Sequence, residues 1–162
     1  MQVVKDVMST NVISLQARHR LYQASEIMKA FKVRHIPIVD MDSRVLGIVS
    51  EQEISRHSSS TFGTEDESLV DRVSMTRELG EVMNKNIVHV RPLDSVELAI
   101  ELMRHHKIRS VLVINPDTDR LEGILTDSDL LDLLQDTLFE KAVHQRQRVT
   151  FSSTPAPATR TS

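Results

Sequence analysis

The sequence predicts an α+β fold in which a β-α-β-β-α unit occurs twice in tandem, the two copies packing sheet to sheet about a pseudo-two-fold axis. Three observations predict it. The chain aligns with itself at a constant offset. Within each copy the apolar pattern changes from helical spacing to short continuous runs in the same order. A single copy also holds too little sheet and helix to close a core alone.

The self-match begins with VMSTNVISL from Val7 against VMNKNIVHV from Val82, which sets Met8 on Met83 and Asn11 on Asn86. The same offset pairs Ala24 with Ala99, Met28 with Met103, Lys32 with Lys107 and Arg34 with Arg109, and HIPIVD from His35 with SVLVIN from Ser110. One extra residue in the second turn lengthens the offset by one, after which GIVSEQEI from Gly47 meets GILTDSDL from Gly123.

Leu21, Ala24, Ile27, Met28 and Phe31 follow helical spacing, as do Val96, Ala99, Leu102, Met103 and His106, so each helix is expected to turn that stripe inward. IPIV and VLVI are short β-branched runs, and VLGIV and LEGIL follow them after the turn-rich MDS and NPDTD, which reads as two hairpins. A second helix closes each copy, short from Ser50 to Arg56 and longer from Asp127 towards Gln145. The expected boundaries are 1–57 for the first copy, 58–76 for a polar linker with a helical turn near Leu69 to Val73, and 77–146 for the second copy with its C-terminal helix. The tail, 147–162, is rich in Ser, Thr and Pro and is expected to be disordered.

Composition narrows the function. With 162 residues and 40% hydrophobic content the chain can bury one core, or two half-cores that share an interface. A net charge of -3 from 20 basic and 23 acidic residues, well mixed, builds no field that would gather nucleic acid or an anionic membrane, so neither is expected as a partner. The absence of cysteine fits a reducing compartment. The N-terminal stretch lacks the apolar run of a signal peptide and no segment reaches membrane-spanning length, so the expected location is cytoplasmic. Of seven histidines only His105 and His106 are adjacent, about 100° apart on a helix, and no H-x-x-x-H spacing occurs, so no metal site is expected. No G-x-S-x-G elbow surrounds Ser50 or Thr126, and nothing assembles a nucleophile, base and oxyanion hole. The chain is expected to have no catalytic residues and no prosthetic group.

The order D-V-M-x-x-N, helix, K-x-R before an apolar strand, turn, and G-I-x-[ST]-x-x-[DE] resembles the CBS domain, and its tandem occurrence resembles the Bateman module of stand-alone bacterial proteins. The resemblance covers roughly Val4 to Ile54 and Leu79 to Leu134. It implies a regulatory module that binds AMP, ADP or ATP, with S-adenosylmethionine as an alternative ligand, in a cleft between the copies. It also implies a homodimer and a regulated partner protein that the sequence does not name. The rival function is a dimerisation or docking scaffold with vestigial clefts.

Carried onto this chain, the resemblance implies that Thr126 lies near the phosphate and that Asp129 accepts hydrogen bonds from the ribose hydroxyls. The physics suits both, because a helix N-terminus offers unpaired N–H groups and a carboxylate is a good acceptor for a cis-diol. Thr-x-x-Asp at a strand-to-helix junction is equally close to a capping box, and the two readings can coexist. The first copy has Ser50 and Glu53 at the matching positions, a better capping box, with a Glu one methylene longer than the ribose reader suits. Arg34 and Arg109 are the expected phosphate-holding cations. Lys32 and Lys107 read as helix-end solubilisers. The apolar slot for adenine in the Asp129 cleft is expected from Val12, Val33 and Ile124, which by the same resemblance bring the start of one copy against the third strand of the other.

Overall fold

The computed structural model describes residues 1–58 and 69–151. The chain divides into two compact units, Met1–Thr126 and Asp127–Ser162. In the first, a 3-10 turn (Val4–Asp6) is followed by α1 (Leu21–Phe31), β1 (His35–Val39), β2 (Val45–Ser50), α2 (Glu51–His57) and α3 (Leu69–Met75). The second copy adds α4 (Leu79–Val82), β3 (His89–Val90), α5 (Val96–His106), β4 (Ser110–Ile114) and β5 (Leu121–Thr126). The second unit holds α6 (Asp127–Phe151).

Each hairpin buries a continuous apolar strand. Ile36 to Val39 of β1 and all of β4 are buried, which is why these runs do not alternate in polarity. The ladders match residue for residue: His35 pairs with Ser50 and Ser110 with Thr126, and both registers slip at the equivalent step, Ile38/Val39 and Val113/Ile114. In front of β4 lies β3, parallel to it. The first copy's counterpart is shorter than expected, a single parallel bridge from Leu15 to Ile38 rather than a strand.

Helices α1 and α5 are placed by the predicted stripes, with Leu21, Ala24 and Met28 buried in one and Val96, Ala99 and Met103 in the other. The stripe is shorter than its spacing suggests: Phe31 is 64% exposed and His106 is exposed as well. Both lie in the last turn, just before Lys32 and Lys107 turn left-handed at φ 55 and φ 53 and end the helices. These lysines therefore do more than solubilise, because they are the residues that reverse the chain into the next strand.

The two copies are joined by reciprocal exchange. The start of the first copy runs to the second, where Ser9 and Ile124 exchange backbone hydrogen bonds of 2.9 and 3.0 Å. The start of the second copy returns to the first, where Asn84 and Ile48 exchange bonds of 2.8 and 3.0 Å. Val3 bridges Ser95 as Glu78 bridges Arg20, and Arg44 bridges its own counterpart Arg120. A contact set that maps onto itself when the copies are swapped is the mark of a pseudo-two-fold axis, which passes near Arg44 and Arg120.

A core beside this exchange gathers Leu21, Ile36, Ile38 and Val49 and also takes Met75 and Leu79 from beyond the first copy. Each such fully buried aliphatic side chain contributes roughly 1.5–3 kcal/mol of transfer free energy. Met75 changes the reading of 58–76. Its last residues form α3, longer than the expected turn, and supply a core residue rather than only a tether; positions 59–68 lie outside the described residues. At the other end α6 continues to Phe151, five residues into the segment 147–162 that was expected to be disordered; the remainder, 152–162, lies outside the described residues.

Candidate functional site

The exchange leaves a cleft where the start of one copy crosses the sheet of the other. A cavity of about 470 Å³ lies there, lined by Ile48, Ile87 and Ile108 together with Ser50, Glu53, Asn84 and Asn86. Arg34, Arg56, Lys107 and Arg109 stand around it, against the two carboxylates of Glu51 and Glu53. The cations outnumber the acids, so the cleft favours an anion. All four cations are exposed, and the ion pair of Arg34 Nε with Glu51 Oε2 is long at 4.0 Å and contributes little.

The polar rim is partly committed to the fold. Glu53 Oε2 accepts from Ser50 N at 2.8 Å and from Ser50 Oγ, while Glu53 N donates to Ser50 Oγ at 3.4 Å. This is the capping box read from Ser-x-x-Glu, and it turns the Glu53 carboxylate back on its own helix start. Asn84 Oδ1 similarly accepts from Asn86 N at 2.9 Å, which holds the crossing segment in a turn.

Of the residues singled out from sequence, Arg34, Arg109 and Ser50 line this one cavity. Val33 lines a second of about 460 Å³ with Met28, Lys29 and Ile54. Val12 lines a third of about 170 Å³ with Thr10, Ser14 and Glu122. Ile124 is held by its bridge to Ser9. Thr126 ends β5 opposite Ser110, next to Arg109, and Asp129 lies in the first turn of α6. The described cavities do not bring Val12, Val33 and Ile124 together. Their repeat counterparts, however, are Ile87, Ile108 and Ile48, and those three do share the cavity of about 470 Å³.

Sequence reasoning missed Arg56, Asn84 and Asn86. Arg56 occupies the position of Asp132 in the second copy, so the repeat itself gave no reason to expect a cation there. Asn84 and Asn86 reach the cleft only through the exchange, although Asn86 was already visible as the counterpart of Asn11. Among the described residues no group of three His, Cys, Asp or Glu side chains converges to hold a metal ion. Among them, too, no helix is long and apolar enough to cross a membrane.

A duplicated hairpin-and-helix unit with exchanged leading segments and a cleft at the crossing defines a two-repeat ligand-cleft architecture. The CBS domain family model matches residues 4–60 and 79–136, and the chain belongs to that family. Among solved structures it is similar to a Vibrio cholerae protein assigned to acetoin utilization (AcuB), with a TM-score of 0.72, 28% identity, and coverage of 96% of this chain and 99% of that one. It is also similar to the CBS domain pair of protein MJ0100, solved in complex with 5'-methylthioadenosine and S-adenosyl-L-methionine, with a TM-score of 0.68, 22% identity, and coverage of 85% and 98%. Among curated relatives, the homoserine O-acetyltransferase of Methanocorpusculum labreanum is 28% identical over 127 residues, 78% of this chain. The chain spans 23% of the length of that enzyme.

Proposed function

We propose that this chain is a non-catalytic regulatory module that senses an adenine nucleotide, AMP, ADP or ATP, between its two CBS repeats. The observation that carries the reading is the cleft composition: three isoleucines line it together with Arg34 and Arg109, each in a helix-to-strand turn, and with the strand-to-helix start at Ser50. An adenine ring needs such an apolar lining and its phosphate needs the cations. By the repeat, the counterparts of this set are Val12, Val33 and Arg34 of the first copy with Ile124, Thr126 and Asp129 of the second, and there the acid is an Asp. Asp129 is the proposed ribose reader. The adenosine compounds bound to the CBS pair of protein MJ0100 are consistent with this ligand class and keep S-adenosylmethionine as the alternative.

Regulation follows from the exchange. Each crossing segment belongs to one copy and lies on the other, so a ligand that favours one disposition of the copies shifts the population towards it and alters affinity for a regulated partner protein. The module is read as a cytoplasmic homodimer. Calorimetric titration of AMP, ADP, ATP and S-adenosylmethionine into the wild type and Asp129→Ala tests the ligand. Binding of one adenylate, weakened at least tenfold in Asp129→Ala, is the expected result. A chain that binds none of the four is a docking scaffold, and the nucleotide reading falls.

A further inference from the structure

The cavity of about 460 Å³ that Val33 lines is not isolated from the cleft. Arg34 and Glu51 line both, so the two spaces meet at that pair. The pair is long, at 4.0 Å, and its side chains are 65% and 69% exposed, so a phosphate can displace Glu51 from Arg34 at small cost. The second space is a groove made by residues of α1 and α2. Glu51 is the single acid among its described lining residues, against Lys29, Lys32 and Arg34.

The repeat shows what is particular to this groove. Ser25, Ser55 and Ser58 line it, and their counterparts in the second copy are Ile100, Leu131 and Leu134. Hydroxyl side chains thus stand at three positions where the other copy has large aliphatic ones. A surface kept for packing another helix would be apolar there, whereas hydroxyl and ammonium groups donate hydrogen bonds to an anion. Lys29 and Lys32 also complement the C-terminal end of α1, but that role asks nothing of the serines.

We propose that cleft and groove form one trough crossed at Arg34, and that it reads a chain of phosphates, taking ADP or ATP in preference to AMP. The nucleoside and its first phosphate occupy the cleft, beside Ser50 and Arg109. Arg34 stands at the crossing, and the later phosphates lie in the groove against Lys29, Ser25 and Ser58. This rests on the nucleotide reading and narrows it to a ligand with more than one phosphate.

Lys29 lines the groove and not the cleft, and it is exposed, so its substitution probes the groove without disturbing the core. AMP, ADP and ATP are titrated calorimetrically, in magnesium-free buffer, into the full chain, into Lys29→Glu, and into Ser25→Ile with Ser58→Leu. Melting temperatures without ligand show that each variant is folded. The wild type binds ATP at least about tenfold more tightly than AMP, roughly the weight of one charge-assisted hydrogen bond. Both variants lose that advantage while affinity for AMP stays within about threefold. The serine variant changes no charge, so its loss is not a general field effect. Equal affinity of the wild type for AMP and ATP overturns the trough and leaves the nucleotide reading standing. So does an ATP advantage that survives the serine variant, and so does an equal loss for AMP and ATP in Lys29→Glu. A chain that binds none of the three loses the nucleotide reading and the trough with it.

Discussion

Met8 of the first copy lies directly over Gly123 of the second. A Cβ built at 123 would stand 2.6 Å from Met8 Sδ and 2.9 Å from Ser9 O. Met83 stands over Gly47 in the same way, with Sδ at 2.6 Å and Asn84 O at 3.0 Å. The glycines are there for close approach: the exchanged segment lies flat on the strand only where the strand has no side chain.

Gly123→Ala is therefore expected to destabilise the chain by about 1–3 kcal/mol, the usual range for overpacking. Met8→Ala in the same chain should relieve only the side-chain part of the clash, since the Ser9 carbonyl cannot retreat without losing its bond to Ile124. Urea denaturation of the two single variants and the double variant measures both terms, and strict additivity would contradict the proposed contact.

Ser50→Ala removes both the acceptor for Glu53 N and the hydroxyl that Glu53 holds. The expected loss is about 1 kcal/mol, read as a lowered denaturation midpoint at unchanged slope. Glu53→Gln keeps a side-chain oxygen able to accept from Ser50 N and should lose less than Ser50→Ala.

Lys107→Gly should act in two directions at once. A left-handed residue other than glycine costs about 1 kcal/mol, so the substitution raises stability by that order in thermal or chemical unfolding. It also removes a cation from the cleft, so affinity for an anionic ligand falls. Lys32→Gly shares the backbone geometry at φ 55 and should show a comparable gain in stability.

Arg34→Ala and Arg109→Ala each remove a guanidinium from the cleft rim. Each is expected to lower nucleotide affinity about tenfold to a hundredfold, the weight of a charge-assisted hydrogen bond to phosphate, with little change in melting temperature without ligand because both side chains are exposed. Titration calorimetry on the two variants checks it, and unchanged affinity in both would remove the arginines from the site.

The duplication, both hairpins and the buried stripes were legible from residue types alone, because a strand buried on both faces and a helix buried on one leave distinct apolar periods. The exchange was harder to read. Nothing in VMSTNVISL says that Ser9 pairs with Ile124 rather than with its own copy; the only local trace is a glycine that needs a flat neighbour. Met75 was illegible for a related reason, since one buried residue at the end of a polar stretch makes no pattern. Phe31 misled because periodicity continues to the last turn of a helix whether or not that turn still faces the core. At the site, Arg34, Ser50 and Arg109 were found from the repeated triplets and helix starts. Arg56 was not, since the copies differ there.

The reciprocal crossing has a consequence for biosynthesis. Ser9 is made early but finds its partner only when Ile124 has been made, almost the whole length of the first unit later. The strand edge of the first hairpin likewise waits for Asn84. Until Ile124 has been made, the strand surface that the other half covers stays bare and aliphatic, so folding is slow to commit and exposed to association with neighbouring chains in the interval. A duplicated module of this kind matures as a whole or not at all.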